Sequence, residues 1–331
     1  MGEISALSYA YVALWVCLSS GVIVFNKYIL HTYGFPYPVA LTMWHQAFCS
    51  VLAFIAIRGL KLATPLPSMT TDLYVRKIVP IGVLYAASLW LSNSAYLHLS
   101  VAFVQMLKAL MPVAVYSTGV CFGIDKFDTK MFLNMAVITL GVVVASYGEI
   151  NFVVIGVAVQ LGAIVVESLR LVLVELLLNR AGLAIKHPFL TMYYVSPACL
   201  VCLLVPFFGV EYHDLAAPDA TWHWDTRVFV GNACTALGLN VAVYLLIGKT
   251  SALTMNVASV IKDWVCIGLS NLLFYAPVTL TQVGGYCVAF VAVGHYNYLK
   301  LQQQRKQQAA ASKDADDEEK QKEEGGKDGG R

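Results

Sequence analysis

Residues 131–147, MFLNMAVITLGVVVASY, contain no charged side chain, and residues 190–209, LTMYYVSPACLVCLLVPFFG, contain none either. A run of about 20 apolar residues, rising 1.5 Å per residue as a helix, spans the ~30 Å hydrocarbon core of a bilayer. Ten such runs can be read outward from these two, at roughly 8–30, 38–58, 78–97, 101–123, 131–147, 152–177, 190–209, 227–247, 250–273 and 278–300. Lipid offers backbone N–H and C=O groups no partners, so a spanning segment must be a helix or part of a closed barrel. The runs are continuous rather than alternating with period two, which selects helices. The sequence therefore predicts an all-α membrane protein of ten transmembrane helices.

Composition agrees. The chain of 331 residues is 58% hydrophobic and 13% charged, and 7 of its 22 basic and 8 of its 20 acidic residues lie in the last 31 positions. That leaves 27 charged residues in the first 300, far below the share a soluble surface needs. A soluble enzyme, a secreted disulfide scaffold and a nucleic-acid binder are excluded on this ground. The net charge of +2 implies no partner. The eight cysteines (17, 49, 121, 199, 202, 234, 266 and 287) lie within apolar runs. Cys199 and Cys202 have no histidine or further cysteine at ligand spacing, so they read as small buried apolar residues, and no metal or cofactor is expected. The first apolar run is too long for the core of a signal peptide, so no cleavable leader is expected.

Prolines 36, 38, 65, 67, 188, 218 and 277 mark connections. Those after the even-numbered runs carry nine basic residues: Arg58, Lys61, Arg76, Lys77, Lys126, Lys130, Arg180, Lys186 and Lys249. The other side has only Lys27 and Arg227, with the acidic, aromatic stretch Glu211–Asp225. The positive-inside rule then places both termini in the cytosol. Residues 301–331 cannot bury a core and are expected to be a disordered, charged cytosolic tail.

Two lysines sit deep within apolar runs. Lys108 lies about 12 Å in from the lumenal end of the fourth and Lys262 about 18 Å in from the cytosolic end of the ninth. They are 154 positions apart in similar segments, SVAFVQMLKALMPVAV and TSALTMNVASVIKDWVCI. An odd count of five helices per half makes the halves inverted, with repeat one at about 8–147 and repeat two at about 152–300. A midplane ammonium costs about 2.5–3.5 kcal/mol, so each lysine must face a watery cavity or a partner. Neutralisation by Asp263 or Glu167 competes with anion binding, although adjacent positions such as 262 and 263 diverge on a helix. Glu167 and Arg170 have i, i+3 spacing, which fits a structural pair or a cytosolic gate. Lys27 reads as a snorkelling residue or an accessory contact. Ser92, Asn93, Tyr96, Gln105, Asn240, Tyr244, Thr254 and Asn256 place polar and aromatic groups on or near the same helices, either as interhelical glue or as the wall of a substrate cavity.

NKYIL (26–30), FPYP-x-x-LTM-x-H (35–45), YAASLWLSNSAYLHLSVAFVQMLKALMPVAVY (85–116), GKTSALTMNV (248–257), VIKDW (260–264) and GYCVAFVAVGHYNYLKL (285–301) resemble the plant and algal triose-phosphate/nucleotide-sugar translocator family of the drug/metabolite transporter superfamily. The resemblance covers about residues 8–305 and implies ten helices in two inverted halves. It also implies that Lys108 and Lys262 grip a substrate phosphate. Asp263 stands where the plastidic phosphate translocators have arginine, and this Lys-Asp form resembles the Golgi branch carrying UDP-pentoses, UDP-arabinofuranose among them.

The reading is then a Golgi antiporter, not an enzyme, that exchanges a UDP-sugar for a nucleoside monophosphate by alternating access, with Asp263 added to the binding set. A sugar-phosphate or phosphoenolpyruvate/phosphate exchanger is the alternative. Its expected partners are these small molecules and the lipid bilayer, with no nucleic acid; a homodimer is left open. An endoplasmic-reticulum or plastid-envelope location is the less favoured placement.

Overall fold

The computed structural model describes residues 6–174, 176, 187–218, 220–247 and 252–303, excluding side chains at 6–9, 244–247, 252–257 and 260. Arg180, Lys186, Lys249 and the tail from 304 onward lie outside the described residues. The helices are α1 (Ala6–Lys27), α2 (Pro38–Phe54), α3 (Val79–His98), α4 (Val101–Lys108), α5 (Met111–Cys121), α6 (Thr129–Tyr147), α7 (Val154–Val174), α8 (Pro188–Pro206), α9 (Thr226–Ile247), α10 (Ala252–Phe274) and α11 (residues 280–303). Widened turns extend α1 to Thr32 and α2 to Gly59.

The all-α membrane class holds, but the expectation of ten transmembrane helices does not. Among the described residues, seven helices are long and apolar enough to cross a membrane: Ala10–Thr32, Pro38–Gly59, Thr71–His98, Val101–Cys121, Thr129–Tyr147, Val154–Val174 and Pro188–Leu215. The C-terminal helices α9, α10 and α11 are not among them. Arg227, Asn232 and Asn240 interrupt α9, Lys262 and Asp263 interrupt α10, and Gln282, His295, Asn297 and Lys300 interrupt α11. Parts of α9 and α10 lie outside the described side chains.

Local chemistry sets the helix ends. Pro38 and Pro188 open α2 and α8 at the first helical position, where no N–H is needed. The Ser100 hydroxyl accepts from Phe103 N at 3.1 Å to start α4, and Asp128 accepts from Lys130 N at 2.8 Å to start α6. α3 packs on α7 and α8, α1 on α9 and α10, α2 on α8, and α4 on α10. The α6–α11 contact depends on missing side chains: a Cβ on Gly141 would lie 2.6 Å from Ala289 N, and one on Gly285 would strike the backbone of Ala145. The outer face of α6 instead presents Phe132, Leu133, Leu140 and Val143, as a lipid-facing helix should.

Candidate functional site

The run read as one helix over 101–123 is broken. Pro112 has no N–H to give the Lys108 carbonyl, so α4 ends there. Ala109 N and Leu110 N turn back to Met106 O and Leu107 O at 3.1 and 3.0 Å, and α5 starts afresh at Met111. Every residue from Val101 to Leu107 is buried, so α4 is fixed on all sides. Its last side chain, Lys108, and the first residue of α5, Met111, face one cavity. A half-helix that begins at a cavity directs its unpaired N–H groups and positive dipole end there.

The cavity has a volume of about 380 Å³. Lys108 and Lys262 line it from α4 and α10, with Ser92, Asn93 and Tyr96 of α3, Glu167 of α7 and Asn240 of α9. Among the described residues, no protein acceptor pairs with the Lys108 ammonium. Lys262 is different: its Nζ lies 2.9 Å from Asp263 Oδ1. The expected divergence of adjacent positions is thus overcome by the reach of the lysine chain. The Tyr286 hydroxyl donates to Asp263 Oδ2 at 3.4 Å.

The remaining candidates sit around this centre. Gln105 is fully buried behind it, with Nε2 3.5 Å from the Tyr96 hydroxyl. Arg170 forks onto Glu167 through two contacts and lies 5.0 Å over the ring of Tyr85, another cavity residue. Lys27 does not snorkel. It is 6% exposed, and its Nζ donates to Tyr96 O at 2.6 Å and Leu99 O at 3.2 Å. It therefore braces the end of α3 instead of facing the cavity. The side chains of Tyr244, Thr254 and Asn256 lie outside the described residues.

The sequence reading missed a buried polar chain through four helices. His45 of α2 meets Asn232 of α9, and Asn232 Nδ2 donates to Asn26 Oδ1 of α1 at 2.9 Å. Asn26 Nδ2 then donates to Asn93 Oδ1 at 3.1 Å, and Asn93 Nδ2 to Thr42 Oγ1 at 2.9 Å. All five residues are buried, and all but Asn232 line the cavity. The signal was present: Asn26, Thr42 and His45 fall within NKYIL and LTM-x-H. Two further cavity residues were also missed. The Gln46 side-chain carbonyl and both polar atoms of Gln160 are buried without a protein partner. Buried polar atoms left unmatched at a cavity wall are the places where a polar ligand gains most.

One end of the helix bundle is closed by aromatics. Trp224 stacks on Phe229 at 4.1 Å, while Trp222 meets Phe35 edge-on at 5.7 Å. Trp44 Nε1 donates to Phe229 O at 2.9 Å. Glu211, expected in an acidic connection, is 5% exposed, and its carboxylate accepts from Val39 N and Ala40 N, both at 2.8 Å. It caps α2 and anchors the cover. Around the cavity, Lys108, Lys262 and Arg170 face two carboxylates, Glu167 and Asp263. The balance is one net positive charge: the site favours anions but is not strongly cationic.

A family description, the Triose-phosphate Transporter family, matches residues 7–297. A "Probable sugar phosphate/phosphate translocator" of Arabidopsis thaliana is 50% identical over 298 residues, covering 89% of this chain and 84% of that protein. A second Arabidopsis protein of that name is 51% identical over 298 residues with the same coverage, and a third is 44% identical over 300 residues, 90% of this chain and 88% of its own.

Proposed function

Because this chain belongs to the Triose-phosphate Transporter family and is a membrane transporter rather than an enzyme, we propose that it exchanges a nucleotide sugar for a nucleoside monophosphate across the Golgi membrane. The substrate class is a UDP-sugar, such as a UDP-pentose. The observation that carries this reading is the Lys262–Asp263 contact of 2.9 Å beside Lys108, which has no paired acceptor among the described residues. A compact sugar phosphate keeps nearly two charges on one group and would meet one free ammonium and one already engaged by a carboxylate. A diphosphate spreads its charge between two positions. It also brings a base and a sugar whose polar edges suit Asn93, Asn240, Gln46 and Gln160, with Tyr85 and Tyr96 offering aromatic surface.

Transport needs no chemical step. Ligand held between α4 and α10 shifts the balance of inward- and outward-facing states, and the gradients of the two substrates drive the exchange. The aromatic cover over α2 and α9 is the closed side. The nine basic connecting residues turn the opposite face, and both termini, to the cytosol. Tags at Met1 and Arg331 should both be cleaved by protease added to intact vesicles; seven crossings alone would protect one of them.

A second reading has its own support, the name shared by relatives about 50% identical: exchange of sugar phosphate for phosphate. Counterflow separates the two. Proteoliposomes preloaded with UMP, GMP, CMP or phosphate are offered UDP-sugars or triose phosphates. Fastest uptake of a UDP-sugar into UMP-loaded vesicles is expected. Faster phosphate–triose phosphate exchange than any UDP-sugar uptake would put the second reading in place of the first.

A further inference from the structure

We propose that a groove on the basic face of the protein, between α2 and α8, binds one anionic glycerophospholipid. Two adjoining hollows of about 440 and 310 Å³ share Phe54, Tyr193 and Pro197. The first lies at the rim, against Met69, Thr70 and Tyr74. The second continues along α2, past Ser50, Val51 and Ile55. A polar mouth joined to an apolar trough fits an amphiphile with its headgroup at the mouth and an acyl chain in the trough.

The groove is built by specific residues. Pro197, inside α8, has no N–H to donate to the Tyr193 carbonyl, which loosens the helix at that turn. The Tyr193 ring lies against Phe54 with centroids 6.5 Å apart. Its hydroxyl accepts from Arg58 Nε at 3.2 Å and Nη2 at 3.1 Å, which holds a guanidinium at the mouth. On the other rim, the Tyr74 hydroxyl donates to Tyr194 O at 2.8 Å, and Leu66 N donates to the Tyr194 hydroxyl at 3.0 Å.

Charge selects the headgroup. Arg58 and Lys61 end the α2 side, and Arg76 and Lys77 lie in the turn that leads into α3. The nearby acid, Asp72, is committed to Arg76 at 2.8 Å. Among the described residues, no carboxylate pairs with Arg58, Lys61 or Lys77, and Tyr193 fixes the Arg58 guanidinium at the groove. Val51 and Phe54 are more than half exposed along the trough, an area that a free phosphate would leave bare and an acyl chain would cover. The positive-inside rule turns this face to the leaflet rich in anionic lipid. The groove lies apart from the cavity, so the proposal stands whichever substrate is carried.

The test uses the full chain in detergent–phosphatidylcholine micelles titrated with phosphatidylserine, with retained lipid measured by mass spectrometry. Wild type should prefer phosphatidylserine over phosphatidylcholine by roughly a hundredfold, the effect of three basic residues near a headgroup. Arg58→Gln/Lys61→Gln/Lys77→Gln should lose that preference. Lys126→Gln/Lys130→Gln, basic but away from the groove, should keep it. Val51→Trp, which fills the trough without changing charge, should weaken phosphatidylserine binding at least tenfold. Equal affinity for the two lipids in wild type, or a preference surviving in the folded triple variant, overturns the proposal. So does soluble glycerophosphoserine binding as tightly as the lipid, because the trough would then play no part.

Discussion

Lys27, near the end of its apolar run, and Lys108, deep within its own, are lysines that the protein treats in opposite ways. Lys27 is held by two backbone carbonyls at the end of α3. Lys108 ends a broken half-helix at the cavity wall, with no protein acceptor paired to it among the described residues. The first ammonium is matched within the fold, and the second faces the cavity without an acceptor among the described residues. The role of an intramembrane charge therefore follows from which acceptors come within its reach. Lys262 stands between them, open to the cavity yet engaged by Asp263.

The largest expected effect is at the unmatched lysine. A charge-assisted bond to phosphate is worth roughly 1.5–3 kcal/mol, so Lys108→Ala should weaken substrate binding at least tenfold and abolish exchange in proteoliposomes. Lys262→Ala should do the same. Lys108→Ala should not lower the unfolding temperature, because it removes a charge that the fold does not pair, whereas Lys262→Ala strands the Asp263 carboxylate and should lower it. Near-normal uptake by either variant would break the clamp and, with it, the contrast with Lys27.

Lys27→Met should give the inverse result. Two carbonyls would lose their donor in an apolar setting, a cost of about 1.5–3 kcal/mol in stability. Thermal unfolding should shift down, while substrate affinity of the fraction that remains folded changes little. A variant with unaltered stability and lost transport would place Lys27 with Lys108, and the distinction would fail.

These contrasts also mark what the sequence could disclose. Burial in lipid demands apolar composition, so the helical membrane class and the unusual status of Lys108 and Lys262 were legible from residue types alone. The break at Pro112 was legible in principle, but an apolar run continues across it and conceals it. The chain from His45 through Asn232, Asn26 and Asn93 to Thr42 was not legible, because it exists only once four helices are side by side. Of the two readings of Lys27, snorkelling or an accessory contact, the first fails for the same reason: its acceptors, Tyr96 O and Leu99 O, are about seventy positions away. The count of ten spans parts from the seven found among the described residues at α9 to α11.

Asp263 sharpens the comparison between the two cavity lysines. Asp263→Asn leaves Lys262 as uncommitted as Lys108, and it removes a carboxylate able to accept from a sugar hydroxyl. Sites built to bond a hydroxyl discriminate strongly for ligands that carry one. Nucleotide-sugar uptake should therefore fall severalfold in Asp263→Asn, while Asp263→Arg should move preference towards phosphate and sugar phosphates. Competition by both substrate classes in the same vesicles is the measurement. Unchanged selectivity in both variants would mean that Asp263 serves only to hold Lys262.

The smallest expected effect concerns a carboxylate outside the membrane-spanning segments. Glu149, in the connection after α6, accepts a hydrogen bond from the Gln282 side chain and another from the Asn151 backbone N–H. Thr279 ties the same connection to α11 by donating to Gly148 O at 2.8 Å. Burial pushes the Glu149 carboxyl above its ordinary value of 4.5, and the two hydrogen bonds only partly oppose this. A carboxyl with a raised folded pKa binds its proton more tightly in the native state. Its contribution to stability is complete below the unfolded value and is lost as pH rises through the folded one. At neutral pH the ionised group therefore costs stability. Glu149→Gln keeps an oxygen acceptor for Gln282 and removes the charge. The variant should match wild type at about pH 4 and unfold at a slightly higher temperature at about pH 7, by less than the loss in Lys27→Met. Parallel pH profiles for the two proteins would show that Glu149 is solvated well enough to ionise at no cost. The connection would then differ from the Lys27 brace in kind, being held by Thr279 and backbone contacts and not by a buried, titratable group.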